Sequence, residues 1–104
     1  MVAWSELLVI MALAHGEQYG PEIIERLAAL LGRQPRLAVG GLYTTLRRME
    51  TKGLIVGRWG DDRKEREGAR RRYYTLTVTG REVLEDIGKL LDSARRASKA
   101  RRRS

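Results

Sequence analysis

A mainly α fold with a small β-hairpin, in the order α-α-α-β-β-α, is predicted by three features of this 104-residue sequence. Apolar residues recur at helical spacing in four segments. Two short runs rich in aromatic and β-branched residues, 54–59 and 72–77, flank a polar, glycine-punctuated stretch. Helix-starting and helix-stopping residues stand where the periodic segments begin and end.

Residues 4–15 are apolar almost all round. Trp4, Leu7, Leu8, Met11 and Ala12 form one stripe, while Val9, Ile10 and Leu13 cover the other side. Such a helix is central or meets a second subunit, and Gly16 ends it. Gly20-Pro21 starts a second helix, because proline at the first helical position loses no hydrogen bond. Glu22 and Glu25 complement the helix dipole in its early turns. Ile23, Ile24, Leu27, Leu30 and Leu31 form its apolar stripe, Gly32 stops it, and Arg33-Gln34-Pro35-Arg36 is a basic loop. The third helix runs from Val39 or Gly40 to about Lys52, with Gly53 closing it.

The strands come next, joined by a charged connection from Gly60 to Arg71. A two-stranded hairpin is marginal alone and must pack on helices; Leu54, Val56, Tyr74 and Leu76 are the expected packing residues. Tyr73 and Tyr74 point to opposite faces, so one packs and the other faces the wing side. Thr79-Gly80-Arg81-Glu82 has the form of a capping box. The helix it starts carries Val83, Leu84, Ile87, Leu90, Leu91 and Ala94 on one face. Residues 95–104 are Arg, Lys, Ala and Ser with almost nothing to bury, and are expected to be disordered. Three helices and a hairpin in this order make a winged helix-turn-helix over residues 1–78, followed by a helix over 79–94 and a basic tail.

Composition narrows the chemistry. With no cysteine there is no disulfide, thiolate metal site or thiol nucleophile, and one histidine excludes a multi-histidine metal site within the chain. No apolar run is long enough to cross a bilayer, and the stretch from Leu7 to Ala14 lacks the flanks of a secretion signal. A cytoplasmic protein without a cofactor, and not an enzyme, is the expectation: no glycine-rich phosphate loop follows a strand, and Glu82, Glu85 and Asp86 are ordinary helix-surface spacing. The net charge is +8, unevenly spread. Residues 1–32 hold four acids and one base, 33–72 twelve bases and five acids, and 81–104 eight bases and four acids. A cationic middle and tail suit a polyanion.

The third helix carries the functional signal. Leu42, Leu46 and Met49 make one apolar stripe, and Tyr43, Thr44, Arg47, Arg48 and Thr51 fall on the other side with no acid among them. A helix packed on one face and offering Arg, Thr and Tyr on the other suits the DNA major groove. Tyr43, Thr44, Arg47 and Arg48 are the candidates for contacts there; Lys52, at the helix end, is placed on the backbone. In the wing, Arg70, Arg71 and Arg72 are candidates for phosphate or minor-groove contact. Arg63, Lys64 and Arg66, interleaved with acids, are either further contacts or a self-paired solvated tip. Tyr19 precedes the second helix, whose N-terminus can face a phosphate; its alternative is packing.

These residues in this order resemble the PadR family of transcriptional regulators. The resemblance lies in Tyr19-Gly20 before Glu22 and Ile23-Ile24, and in Gly41-Leu42-Tyr43 before Leu46, Arg47, Arg48, Met49, Glu50, Gly53, Leu54 and Ile55. It continues in Arg58-Trp59, Arg71-Arg72-Tyr73-Tyr74, Leu76-Thr77 and Thr79-Gly80. It covers roughly residues 5–92. Three departures are the glycine at Gly41 where a hydroxyl residue is frequent, Thr44 where proline is frequent, and Gly68-Ala69-Arg70 in place of Gly-Arg-Pro. The resemblance implies a homodimer on a partly palindromic double-stranded operator, usually a repressor, with Gly41 part of the DNA-facing helix start. It also implies a short subgroup in which the single C-terminal helix dimerises.

The residues agree on a dimer. The first and last helices carry more apolar surface than one chain covers, which implies a two-fold interface of Trp4, Leu8, Met11, Leu84, Ile87 and Leu91; the alternative is packing of these helices on each other. Trp4 and Trp59 are expected in the core or the interface. Relatives that hold flat aromatic ligands do so between subunits, which makes Trp4 the candidate for a small aromatic effector. The competing functional reading is a winged-helix protein–protein or RNA-binding module without operator specificity.

Overall fold

The computed structural model of the chain describes residues 2–35, 39–60 and 70–103, and for 39, 40, 102 and 103 the backbone alone. The elements are α1 (Trp4–Leu13), β1 (Gln18–Tyr19), α2 (Gly20–Leu31), α3 (Val39–Thr51), β2 (Ile55–Trp59), β3 (Arg72–Leu76) and α4 (Val78–Arg103). The fold is the expected one: mainly helical, with a small antiparallel sheet.

The core forms where α1, α2 and α3 meet the sheet. α1 contributes Val9, Ile10, Ala12 and Leu13, α2 contributes Ile23 and Leu27, and α3 contributes Leu42, Leu46 and Met49. Leu54, Ile55, Tyr74 and Leu76 close it from the sheet side. The buried face of α1 is therefore the Val9–Ile10–Leu13 side, and Trp4 at its start is 70% exposed. In α2 the expected stripe is narrower: Leu30 faces solvent, while Leu31 is partly buried.

The sheet has a strand that the sequence did not announce. β1 adds to the far edge of β3, so the order is β1-β3-β2. Gln18 pairs with Tyr74 and Tyr19 with Tyr73, while β2 runs from Ile55 opposite Leu76 to Trp59 opposite Arg72. Two residues carry no periodicity, so β1 leaves no pattern to read. It is held by Gln18, whose buried amide donates to Ala12 O at 2.7 Å and so caps the end of α1.

The turn after α3 settles which residues of the hairpin are buried. Gly53 takes φ +75°; its N–H bonds to Glu50 O, and Leu54 N–H bonds to Met49 O. This is a Schellman turn, in which the residue after the glycine packs back on the helix. Leu54 is thus buried by the turn, not by strand alternation. Alternation starts one residue later, so Ile55 is buried and Val56, expected inside, is exposed. Trp59, expected in the core or the interface, is exposed and so lies outside the core.

The last helix differs at both ends from its expected 79–94. Its cap is Thr77, not Thr79: the Thr77 hydroxyl accepts from Gly80 N–H at 3.1 Å and donates to Gly53 O at 2.6 Å. Thr77 is the first residue beyond the β3 ladder, whereas Thr79 already lies in the first turn and is exposed. At the other end the helix continues through Arg103 instead of giving way to a disordered tail. Ala, Arg and Lys are strong helix formers, and no glycine or proline follows Gly88.

Gly80 stands against the carbonyl of Leu54, where a Cβ would overlap the oxygen. Helix propensity alone says that Gly80→Ala should stabilise by about 1 kcal/mol. Overlap with backbone cannot relax by a side-chain rotation, so Gly80→Ala is expected to destabilise by about 1–3 kcal/mol. Thermal denaturation reads the sign; a raised Tm would contradict this docking of α4.

Candidate nucleic-acid interface

α3 shows three distinct sides. Leu42, Thr45, Leu46 and Met49 are buried. Thr44, Arg47 and Thr51 lie opposite and are exposed, with the Thr51 hydroxyl bonded to Arg47 O at 3.1 Å. At 3.6 residues per turn these three form a single row along the outer surface. The two flanks between core and row are each tied to a neighbouring element.

On one flank an acid of α1 takes two cations, Arg48 of α3 and Lys52 just past its end. Glu6 is fully buried. It accepts from Ala3 N–H at 2.7 Å, Lys52 Nζ at 2.9 Å and Arg48 Nε at 3.3 Å. Ala3 has no side-chain acceptor, so this is half of a capping box, and the second carboxylate oxygen is left for Arg48. Arg48 Nη2 also lies 3.4 Å from Ser5 Oγ. Burial pushes the Glu6 carboxyl up, but the bonds from Lys52, Ala3 and Arg48 together hold it below the ordinary 4.5.

On the other flank Glu50 accepts from Arg72 Nη2 of β3 at 3.1 Å. Arg72 reaches it by crossing β2 at Gly57, where a Cβ would meet Arg72 Nε at 2.7 Å. Tyr43 leans the same way. Its hydroxyl occupies the place a side chain on Gly20 would need, 2.5 Å from that Cβ.

Tyr43 therefore borders an open groove of about 400 Å³ at the base of the wing, with Tyr19, Trp59, Arg70 and Arg71 around it. Guanidinium groups stand over the rings here: Arg71 over Tyr19 at 4.7 Å, Arg70 over Trp59 at 5.6 Å and Arg72 over Trp59 at 5.1 Å. Tyr19 packs against Tyr73 at 5.6 Å, and Tyr74 on the opposite face is buried. Arg58 spans β3 above Tyr73 to reach Glu17 at 2.7 Å.

The structure thus brings Tyr19, Tyr43, Arg70, Arg71 and Arg72 to one groove, and Thr44 and Arg47 to the adjoining row. Gly41 is exposed at the start of α3. Arg48 and Lys52 lie apart, turned to α1. Arg63, Lys64 and Arg66 fall outside the described residues. Of the expected interface residues, Leu84 and Ile87 pack partly on the core, Leu8 is half-buried beside them, and Leu91 is exposed. Met11 is partly exposed. Glu6, Glu50 and Trp59 were not foreseen at the site. Glu6 had one signal, an acid in the first turn of an otherwise apolar helix; its partners, more than forty residues away, had none.

Comparison with known proteins follows the same lines. The model of the transcriptional regulator PadR-like family matches residues 9–86. Among curated proteins no match is found. A PadR family transcription regulator from Clostridium difficile R20291 is 28% identical, with 93% of this chain and 96% of that one covered and a TM-score of 0.75. A transcriptional regulator from Clostridium thermocellum is 20% identical, with 92% and 87% covered and a TM-score of 0.71. Bacillus subtilis PadR, solved in complex with operator DNA, is 23% identical, with 78% of this chain and 44% of that one covered and a TM-score of 0.66. The last two likenesses are likenesses of fold. Among the described residues no helix is long and apolar enough to cross a membrane.

The lowered Glu6 carboxyl makes stability depend on pH with a definite sign. The folded chain favours the ionised form, so the contribution is complete above the ordinary glutamate value and is lost as pH falls through the lowered one. Wild type is expected to exceed Glu6→Gln by about 1–2 kcal/mol near neutrality. In urea unfolding the gap should close between about pH 5 and about pH 3; a gap unchanged by acid would contradict the assignment.

Proposed function

This chain belongs to the PadR-like family of transcriptional regulators, and from that premise we propose that it binds operator DNA as a homodimer and represses transcription in the cytoplasm. The observation that carries the reading is the row of Thr44, Arg47 and Thr51 on α3, opposite the buried stripe and bare of acids. In this reading α3 lies in the major groove. Arg47 is the cation at the centre of the row, and Thr44 offers a methyl and a hydroxyl beside it. Gly41 lets the start of α3 come close to the duplex.

The groove at the wing base then takes the backbone. Arg70 and Arg71 are held over Trp59 and Tyr19, which orients their N–H groups before any phosphate arrives. Tyr19 and Tyr43 border the same groove, and Arg72 braces it from inside through Glu50. Support for a dimer comes from apolar surface left outside the core: Trp4 is 70% exposed, Leu90 70% and Leu91 50%, with Leu8, Met11, Leu84 and Ile87 beside the α1–α4 contact. A protein–protein module would be expected to expose an apolar stripe on α3 instead; Tyr43 alone among its described large hydrophobics is exposed, and the outer row is polar.

Selection of bound sequences from random duplex DNA tests the proposal. Two half-sites about one helical turn apart, or a multiple of it, are expected. Arg47→Ala should weaken the selected site by about 1–3 kcal/mol and relax the preference at one position in each half-site. Recovery of single, unpaired sites, or of no preferred sequence, would overturn the reading.

A further inference from the structure

We propose that Glu6 is a positioning residue that holds Arg48 of α3 and Lys52, just past its end, against α1 and so keeps both cations off the DNA phosphates. The inference rests on the DNA-binding reading and divides these cations from Arg47: one meets DNA and two orient the helix.

Arg48 and Lys52 are four residues apart and share a flank of α3. Both reach the same carboxylate, Lys52 Nζ at 2.9 Å and Arg48 Nε at 3.3 Å. Arg48 bonds through Nε, with Nη2 toward Ser5, so its guanidinium lies along α1 and not outward from α3. Glu6 is fully buried while its two partners stay partly exposed. A phosphate that drew either cation away would leave a buried carboxylate short of donors, which is a costly state. Phosphates therefore meet a pair that is already satisfied. Arg47, one residue from Arg48, instead borders a cavity with Tyr43, Glu50 and Arg72.

The clamp also fixes how α3 presents its row. Glu6 ties the C-terminal half of α3 to α1, and Glu50–Arg72 ties the same region to β3. Each bond alone is modest; together they oppose rolling of α3 in either direction.

The test is the salt dependence of binding to random-sequence duplex DNA, measured for wild type, Arg47→Ala, Arg48→Ala and Glu6→Gln. Each phosphate contact contributes roughly 0.9 to the slope of log K against log salt. Arg47→Ala, measured also on the selected site, should weaken binding there by about tenfold. Arg48→Ala should leave the slope at the wild-type value. Glu6→Gln keeps an acceptor for Ala3 N–H but removes the charge, so it should steepen the slope by about 1–2 as Arg48 and Lys52 are released to the backbone. Flattening by about 1 in Arg48→Ala, or an unchanged slope in Glu6→Gln, would overturn the proposal. Circular dichroism checks that each variant is folded; should Glu6→Gln be unfolded, the Arg48→Ala slope decides alone. Absence of salt-dependent binding by wild type would instead remove the DNA reading, and the clamp's role with it.

Discussion

Burial of Leu42, Leu46 and Met49 sets how α3 is turned, and with it what that helix shows to solvent. The three are at 1% exposure or less, and each alone is worth about 1.5–3 kcal/mol when taken out of water. A roll of α3 by one residue would expose this stripe and drive Tyr43 and Arg47 inward, where a guanidinium without partners is not tolerated. The outer row of Thr44, Arg47 and Thr51 is therefore a consequence of the core. The flanking acids refine the angle: Glu6 draws Arg48 and Lys52 to α1, and Glu50 draws Arg72 to α3. Their contribution to stability is small beside the apolar stripe. Their contribution to which cations remain outside is large.

The sheet extends the same body to the wing. β3 pairs with β1 on one side and β2 on the other, so the segment before α2 and the base of the wing share a ladder. Tyr19 stacks on Tyr73 across it, and Tyr43 closes over Gly20. The start of α2, the start of α3 and the base of the wing thus meet around one groove. Arg70 and Arg71 border that same groove.

The helices and the hairpin were legible because each buries one face, and a buried face writes its period into the sequence. Leu42, Leu46 and Met49 are the clearest case, and Pro21, Gly32 and Gly53 mark helix ends as their backbone chemistry demands. What was not legible had a different cause in each place. β1 is two residues long, shorter than one period of any pattern. Val56 and Ile55 exchanged places because a Schellman turn, not the strand, buries Leu54. Thr77 and Thr79 offer the same chemistry two residues apart, and only the end of the β3 ladder chooses between them. The basic tail lacks a buried face, yet intrinsic propensity carries α4 through it. At the site, the cations and tyrosines could be named from composition and spacing, but not which of them are held: Arg48 and Arg47 are adjacent in sequence and face different neighbours in space.

Trp4 of α1 and Leu90 and Leu91 of α4 are exposed away from the outer row of α3, which holds Thr44, Arg47 and Thr51. Amide chemical-shift mapping on adding double-stranded DNA shows whether the duplex lies on this row. Shifts centred on Thr44, Arg47 and Thr51, with smaller ones at Arg70 and Arg71 and little change along Val9–Leu13, are the predicted result. Shifts centred on α1 and the first half of α4, with the outer row of α3 unmoved, would contradict it.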